Sequence, residues 1–419
     1  MSRLGSLPTP ERMPPMCRVP SLLLASALVL AAACAPDDEA APGDLATTFD
    51  TINGIVHVTN TGTAPPARLV PVVTIGPKTL TDTGSPDEFG GVTSVALGPD
   101  GEVYVADGRN YEVRVFGVDG VHRRTFGREG EGPGEFEALS SLAWAGDLLL
   151  TLDPMLGRIG EWSGEGEWLG QRRTRGRITG WPGPSFYPVG PDELYRLALG
   201  AAYETSFGSA LRTLYVGLNS RGATGDTLPE LPDESTSAIF CQTAGGGLRA
   251  FTIPFAPSLR EHPGRGGVMY SAFTSDYRIA VTRNHGADTV RLIQRPLPAE
   301  PVTDAEWEER TREFEEWRAQ NRSAECEPSG PTRYPTKPIL GPLYIATDGK
   351  LWVRVRRGAG DLWEVFDDAG RLLASVPAPP HVANGVAPAF GPSDHLLTIR
   401  RDSLDLDHVD VWRLERGSS

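Results

Sequence analysis

Arginine and aspartate recur at one kind of position in this sequence, the residue that ends a short alternating segment. Asp107 and Asp153 occupy it early in the chain, Arg283, Arg356 and Arg400 occupy it later, and Arg109 lies close by. Converging guanidinium groups grip two oxygens of a carboxylate, sulfate or phosphate at once, so such a set suits an anionic ligand. The same residues would serve equally as ion pairs between neighbouring elements. Cys241 and Cys326 form a disulfide or remain two buried thiols, a choice that spacing does not decide. Trp307, Phe314 and Trp317 fall on one side of a predicted helix, where they either pack it down or close it as a lid over a depression.

Other chemistry is missing. There is no His-Glu-x-x-His, no paired Cys-x-x-Cys, no Gly-x-Ser-x-Gly and no Walker loop. Asp405, Asp407, His408 and Asp410 are the densest group of metal-type ligands, yet strand alternation turns neighbours to opposite sides. No catalytic residue, metal or cofactor is predicted.

At the N-terminus Arg18 precedes an apolar run from Ser21 to Ala33, and Cys34 follows. That run is too short to span a bilayer, which needs roughly 20 apolar residues. It has the charged, apolar, small-residue order of an export signal over 1–33. Leu30-Ala31-Ala32-Ala33-Cys34 resembles the bacterial lipobox, with Ala31 where that motif usually has Leu or Val. The resemblance implies lipidation of Cys34, a membrane anchor and a place in the cell envelope. The reading frame starts at Met1 or at Met16, whose neighbours make the more ordinary signal start.

Removing residues 1–33 leaves 37 basic and 53 acidic residues, a net charge of −16. A nucleic-acid partner is not expected of such a chain. Export to an oxidising compartment favours the Cys241–Cys326 bridge.

The elements that must position these residues come from a repeat. Phe89 closes Gly-Ser-Pro-Asp-Glu-Phe and Phe136 closes Glu-Gly-Pro-Gly-Glu-Phe, 47 residues later. Asp107 recurs as Asp153, Phe116 as Trp162 and Gly120 as Gly166, each 46 residues on. Between the landmarks lie four short alternating segments separated by turns, a four-stranded antiparallel meander. Fainter copies follow at 191–218, 278–293, 348–370 and 396–414. Periods of this length built from four strands predict propeller blades, here six. Val73-Thr74-Ile75-Gly76 matches Arg124-Thr125-Phe126-Gly127, the end of the first unit. The N-terminal strand is therefore expected to complete the last blade and remove the open sheet edges.

Val103 to Asp107, Arg114 to Phe116 and Gly127 to Phe136 resemble the NHL-type six-bladed propellers, in particular their lipoprotein relatives in environmental bacteria. That resemblance implies an all-β fold and a family that contains binding scaffolds and a few enzymes.

The domain plan is a signal segment at 1–33, a tether with an extra strand near Gly54 to Val58 at 34–68, and a propeller at 69–419. Insertions at 229–265 and 295–340 would share the face where the second strands end, each carrying one of the two cysteines. Thr303-Asp304-Ala305-Glu306 is a capping box, so a helix is expected near 303–320, with Glu306–Arg310 and Glu308–Arg312 pairs outside. The innermost strands, placed at 92–97, 139–144, 270–275, 342–347 and 386–390, hold no histidine or acid. The expectation is a monomeric, non-catalytic binding or scaffold protein for a small anionic molecule, a glycan or another protein. The alternative is a hydrolase or lyase acting on sugars, lactones or peptidoglycan fragments.

Overall fold

The computed structural model describes residues 44–77, 84–173, 186–189, 193–205, 208–219, 224–228, 238–283, 288–381 and 386–417. The export segment and Cys34 lie outside the described residues. The chain first makes a hairpin of β1 (Ala46–Ile52) and β2 (Ile55–Thr61). Its turn, Asn53-Gly54, has φ of 52° and 81°, the left-handed pair that Asn-Gly supplies to a two-residue hairpin loop. β3 (Ala67–Ile75) follows.

Four-stranded meanders come next. The first sheet is β4–β7 (Val92–Leu97, Val103–Asp107, Glu112–Phe116, His122–Phe126) and the second β8–β11 (Ser141–Ala145, Leu148–Asp153, Arg158–Trp162, Trp168–Arg173). The third is β12–β15 (Phe186–Pro188, Glu193–Thr205, Gly208–Asn219, Thr224–Leu228). After β16 (Ala238–Gln242) and β17 (Leu248–Thr252), the fourth is β18–β21 (Leu259–Pro263, Met269–Phe273, Arg278–Arg283, Asp288–Gln294). The helix α1 (Asp304–Gln320) and β22 (Glu325–Glu327) precede the fifth sheet, β23–β26 (Leu340–Ile345, Leu351–Val355, Leu362–Phe366, Leu372–Pro377). The sixth contains β27 (Ala389–Phe390), β28 (His395–Arg401) and β29 (Asp407–Arg416), with β3 pairing antiparallel along β29. This is an all-β architecture with one α-helix among the described residues, consistent with a β-propeller.

Apolar faces of successive sheets bury one another. Tyr104 and Val115 pack with Leu142 and Trp162, Leu150 and Leu152 with Leu218, and Ile279 and Val281 with Leu343 and Val353. Trp352 and Trp363 meet Phe390 and Leu396, while Val103 and Phe116 meet Ile399 and Val409. Each such side chain contributes about 1.5–3 kcal/mol by leaving water. Between the third and fourth sheets, Gly266 N donates to Val189 O at 3.1 Å and Tyr215 Oη to Glu261 O at 3.3 Å. Polar ties add register. Val92 N donates to Asp407 Oδ2 at 2.9 Å, and Leu142 N to Ser94 Oγ at 3.0 Å.

One feature adds to the sequence reading and one differs from it. The extra strand expected near Gly54 to Val58 is half of a hairpin that joins another sheet than β3 does. β2 lies parallel against β21, which widens the fourth sheet to six strands, and buried Asn60 fixes it by bonding Gly370 O and Leu372 N. The inner strand of the fourth sheet is β18, not 270–275. Leu-Arg-Glu-His-Pro has no apolar alternation, so it reads as insertion, while the apolar 269–273 segment is in fact the second strand.

Candidate functional site

The two insertions build one module. β16 pairs with β17 on one side and with β22 on the other, and a disulfide joins Cys241 to Cys326 across that second pairing. α1 begins at a reciprocal capping box in which Thr303 Oγ1 accepts from Glu306 N at 3.3 Å and Glu306 Oε2 from Thr303 N at 3.0 Å. Phe314 and Trp317 pack on Phe251 at ring separations of 5.3 and 5.1 Å. Arg333 covers Trp307. Phe314 and Trp317 thus pack the helix against β17, where it forms a wall.

Between that wall and the fourth and fifth sheets lies a cleft of about 1320 Å³. Arg260 of β18, Arg354 of β24, Arg356 and Arg357 of the following turn, Arg310 of α1 and Lys337 all line it. Its carboxylates are already engaged. Asp361 pairs with Arg354 at 2.6 Å, Glu313 with Arg249 at 2.7 Å, and Glu306 with Lys337 at 2.6 Å. Glu300 accepts from Gly358 N at 2.9 Å. Bonds from Lys337 and Thr303 push Glu306 down to about 2. Arg310, four residues after Glu306, therefore does not receive the carboxylate that helix spacing assigns it.

Arg260, Arg310 and Arg356 have no carboxylate partner among the described residues. Arg260 Nε is buried without a hydrogen bond. Burial, then the nearby guanidiniums of Arg260, Arg354 and Arg310, hold Arg356 below its ordinary value despite Asp361. A guanidinium stays charged regardless. The result is concentrated positive charge on a protein of net charge −14.

Of the ligand-binding residues proposed from sequence, only Arg356 lines this cleft, and of the lid aromatics Phe314 lines it from the helix. Arg400 is held by Asp410 at 3.1 Å. Arg109 is exposed in the turn after β5 and is not among the cleft residues. Arg283 ends a third strand rather than a second, which places it on the opposite face. Asp107 and Asp153 are buried. Asp107 accepts from Gly90 N at 2.9 Å and Gly91 N at 3.1 Å, and Asp153 from Glu137 N at 2.8 Å and Leu156 N at 3.0 Å. They pin the repeated Phe89 and Phe136 loops, and these bonds occupy their carboxylate oxygens. Asp107→Ala should accordingly cost about 1–3 kcal/mol in urea unfolding, the price of orphaned amides, and leave anion binding unchanged. Asp407 pairs with Arg401 at 2.9 Å and accepts from Val92 N of the first sheet, and His408 pairs with Asp402 at 3.1 Å, so these groups are engaged within the protein.

Arg260 and Arg310 were missed. A strand placed at 259–263 would have shown the first, and the Glu306–Lys337 pair, 31 residues apart, concealed the second.

No curated protein matches the chain. Among solved structures, a streptogramin B lyase is 11% identical, with 84% of this chain and 98% of that chain covered and a TM-score of 0.41. Virginiamycin B lyase from Staphylococcus aureus is 10% identical, with 83% and 99% covered and a TM-score of 0.38. A member of the duf4221 family from Bacteroides vulgatus is 8% identical, with 90% and 100% covered and a TM-score of 0.43. The NHL repeat model matches residues 89–116, the stretch from Phe89 through β6 whose landmarks recur in the second sheet.

Proposed function

We propose that this protein binds a multiply anionic ligand, carrying carboxylate, sulfate or phosphate groups, in the cleft beneath α1. The observation that carries the reading is the convergence of Arg260, Arg310 and Arg356 without carboxylate partners among the described residues. The cleft exceeds the roughly 300–1,000 Å³ of ordinary small-molecule pockets, which suits a glycan segment better than a single inorganic ion. The six sheets act as blades of a closed ring, with β3 as the outer strand of the last, a reading supported by the β29–β3 pairing and by apolar packing between the first and sixth sheets. Lipidated Cys34 would hold this binding platform at the cell envelope as a monomer.

The test is calorimetric titration of residues 44–419 with citrate, inorganic pyrophosphate and a uronic-acid trisaccharide, beside a neutral trisaccharide of equal size. The charged probes should bind, more weakly as salt rises, and the neutral one should not. Equal binding of both trisaccharides, or binding of none of the charged probes, overturns the reading.

A further inference from the structure

A second cavity lies at the other ends of the same inner strands. Strand alternation puts Arg260 and His262 on one side of β18, and Pro342 and Tyr344 on one side of β23. The first of each pair lines the arginine cleft, and the second lines a separate cavity of about 340 Å³. Inner strands of all six sheets contribute to that cavity, from β4 through β27.

Its chemistry is opposite to that of the cleft. Arg265 is the one charged side chain among its described lining residues, and its guanidinium is occupied by Thr347 O. No carboxylate is among those described residues. Tyr187, His262, Tyr344 and Phe390 make a continuous aromatic wall, with successive ring separations of 4.8, 6.1 and 5.1 Å. A carbonyl oxygen only accepts, so the 2.8 Å contact between His262 Nδ1 and Pro263 O places a proton on Nδ1. Burial pushes His262 down to about 4, so the ring is neutral near pH 7 and Nε2 keeps its lone pair. Burial likewise pushes Tyr344 up to about 12, which keeps its hydroxyl protonated. Neither Nε2 nor the Tyr344 hydroxyl has a hydrogen-bond partner among the described residues. The wall thus offers an unused acceptor beside an unused donor.

We infer that this cavity is a second binding site, for an uncharged, ring-bearing molecule with a neighbouring donor and acceptor such as an aryl amide, with His262 Nε2 and the Tyr344 hydroxyl as its polar contacts. The site is independent of the arginine cleft, since its ligand carries no charge and its residues are not shared with the cleft.

The test is ligand-observed NMR on residues 44–419 with acetanilide, benzamide and N-methylbenzamide, beside benzoate as the charged match. At least one amide should bind, and benzoate should not compete with it. His262→Phe and Tyr344→Phe keep the ring wall and remove one polar contact each, so each should weaken the amide about 3- to 10-fold. A measurement on the unaltered protein covers the case in which a variant misfolds. Bound amide should slow carbethoxylation of His262 by diethylpyrocarbonate in peptide maps, and leave His122 on outer strand β7 unaffected. Absence of amide binding, equal binding by both folded variants, or unprotected His262 overturns the inference.

Discussion

Cys241→Ala together with Cys326→Ala is expected to destabilise the α1 module by about 2–4 kcal/mol, the usual contribution of a disulfide. The bridge spans a sequence separation of 85 residues, part of which is the fourth sheet and stays folded, so the full loop entropy is not recovered. The module has little else to fall back on. Its buried core consists of Ile239, Cys241, Phe251, Ile253 and Phe314, and β22 of its second insertion pairs with the sheet through three residues. The six large sheets bury their own faces and should persist. Guanidinium unfolding of the double variant should therefore show an early transition absent from the oxidised protein, and limited proteolysis should cut first between Gln294 and Leu340. A single transition at the unaltered midpoint would mean that packing of Phe314 and Trp317 holds the module alone.

The second large effect concerns affinity. Arg260→Ala with Arg356→Ala should weaken the best anionic probe by about 100-fold or more, since each charge-assisted hydrogen bond contributes about 1.5–3 kcal/mol. Stability should stay level or rise, because the substitutions separate like charges that now crowd one another. Arg260→Lys retains charge but loses the planar fork, so it should fall between the two. Arg283→Ala and Arg400→Ala are matched controls, one on the opposite face and one held by Asp410. Loss of affinity in a control equal to that in the double variant would place the ligand elsewhere.

Local signals were the legible part of this molecule. The Phe89 and Phe136 loops, the Asn53-Gly54 turn and the Thr303–Glu306 cap each act within a few residues, and the strands between them alternate cleanly. Sequence reading went astray where tertiary surroundings decide. β18 lines a cavity on one side, so it needs no apolar alternation, and Arg260 and His262 went unnoticed with it. That shift moved Arg283 onto the wrong face. Lys337 outcompetes Arg310 for Glu306, and no helix rule foresees that. Asp107 and Asp153 were ligand candidates because they end second strands, yet their carboxylates there accept from backbone amides.

The hairpin at the start of the described chain also has a mechanical meaning. A pull on the polypeptide at residue 44 does not reach β3 directly. It loads the seven residue pairs between β1 and β2, then the parallel ladder between β2 and β21. Only after both have parted does tension arrive at the strand that completes the sixth sheet. Under traction from its N-terminal side, the molecule would shed an outer ornament before the sixth sheet lost its outer strand.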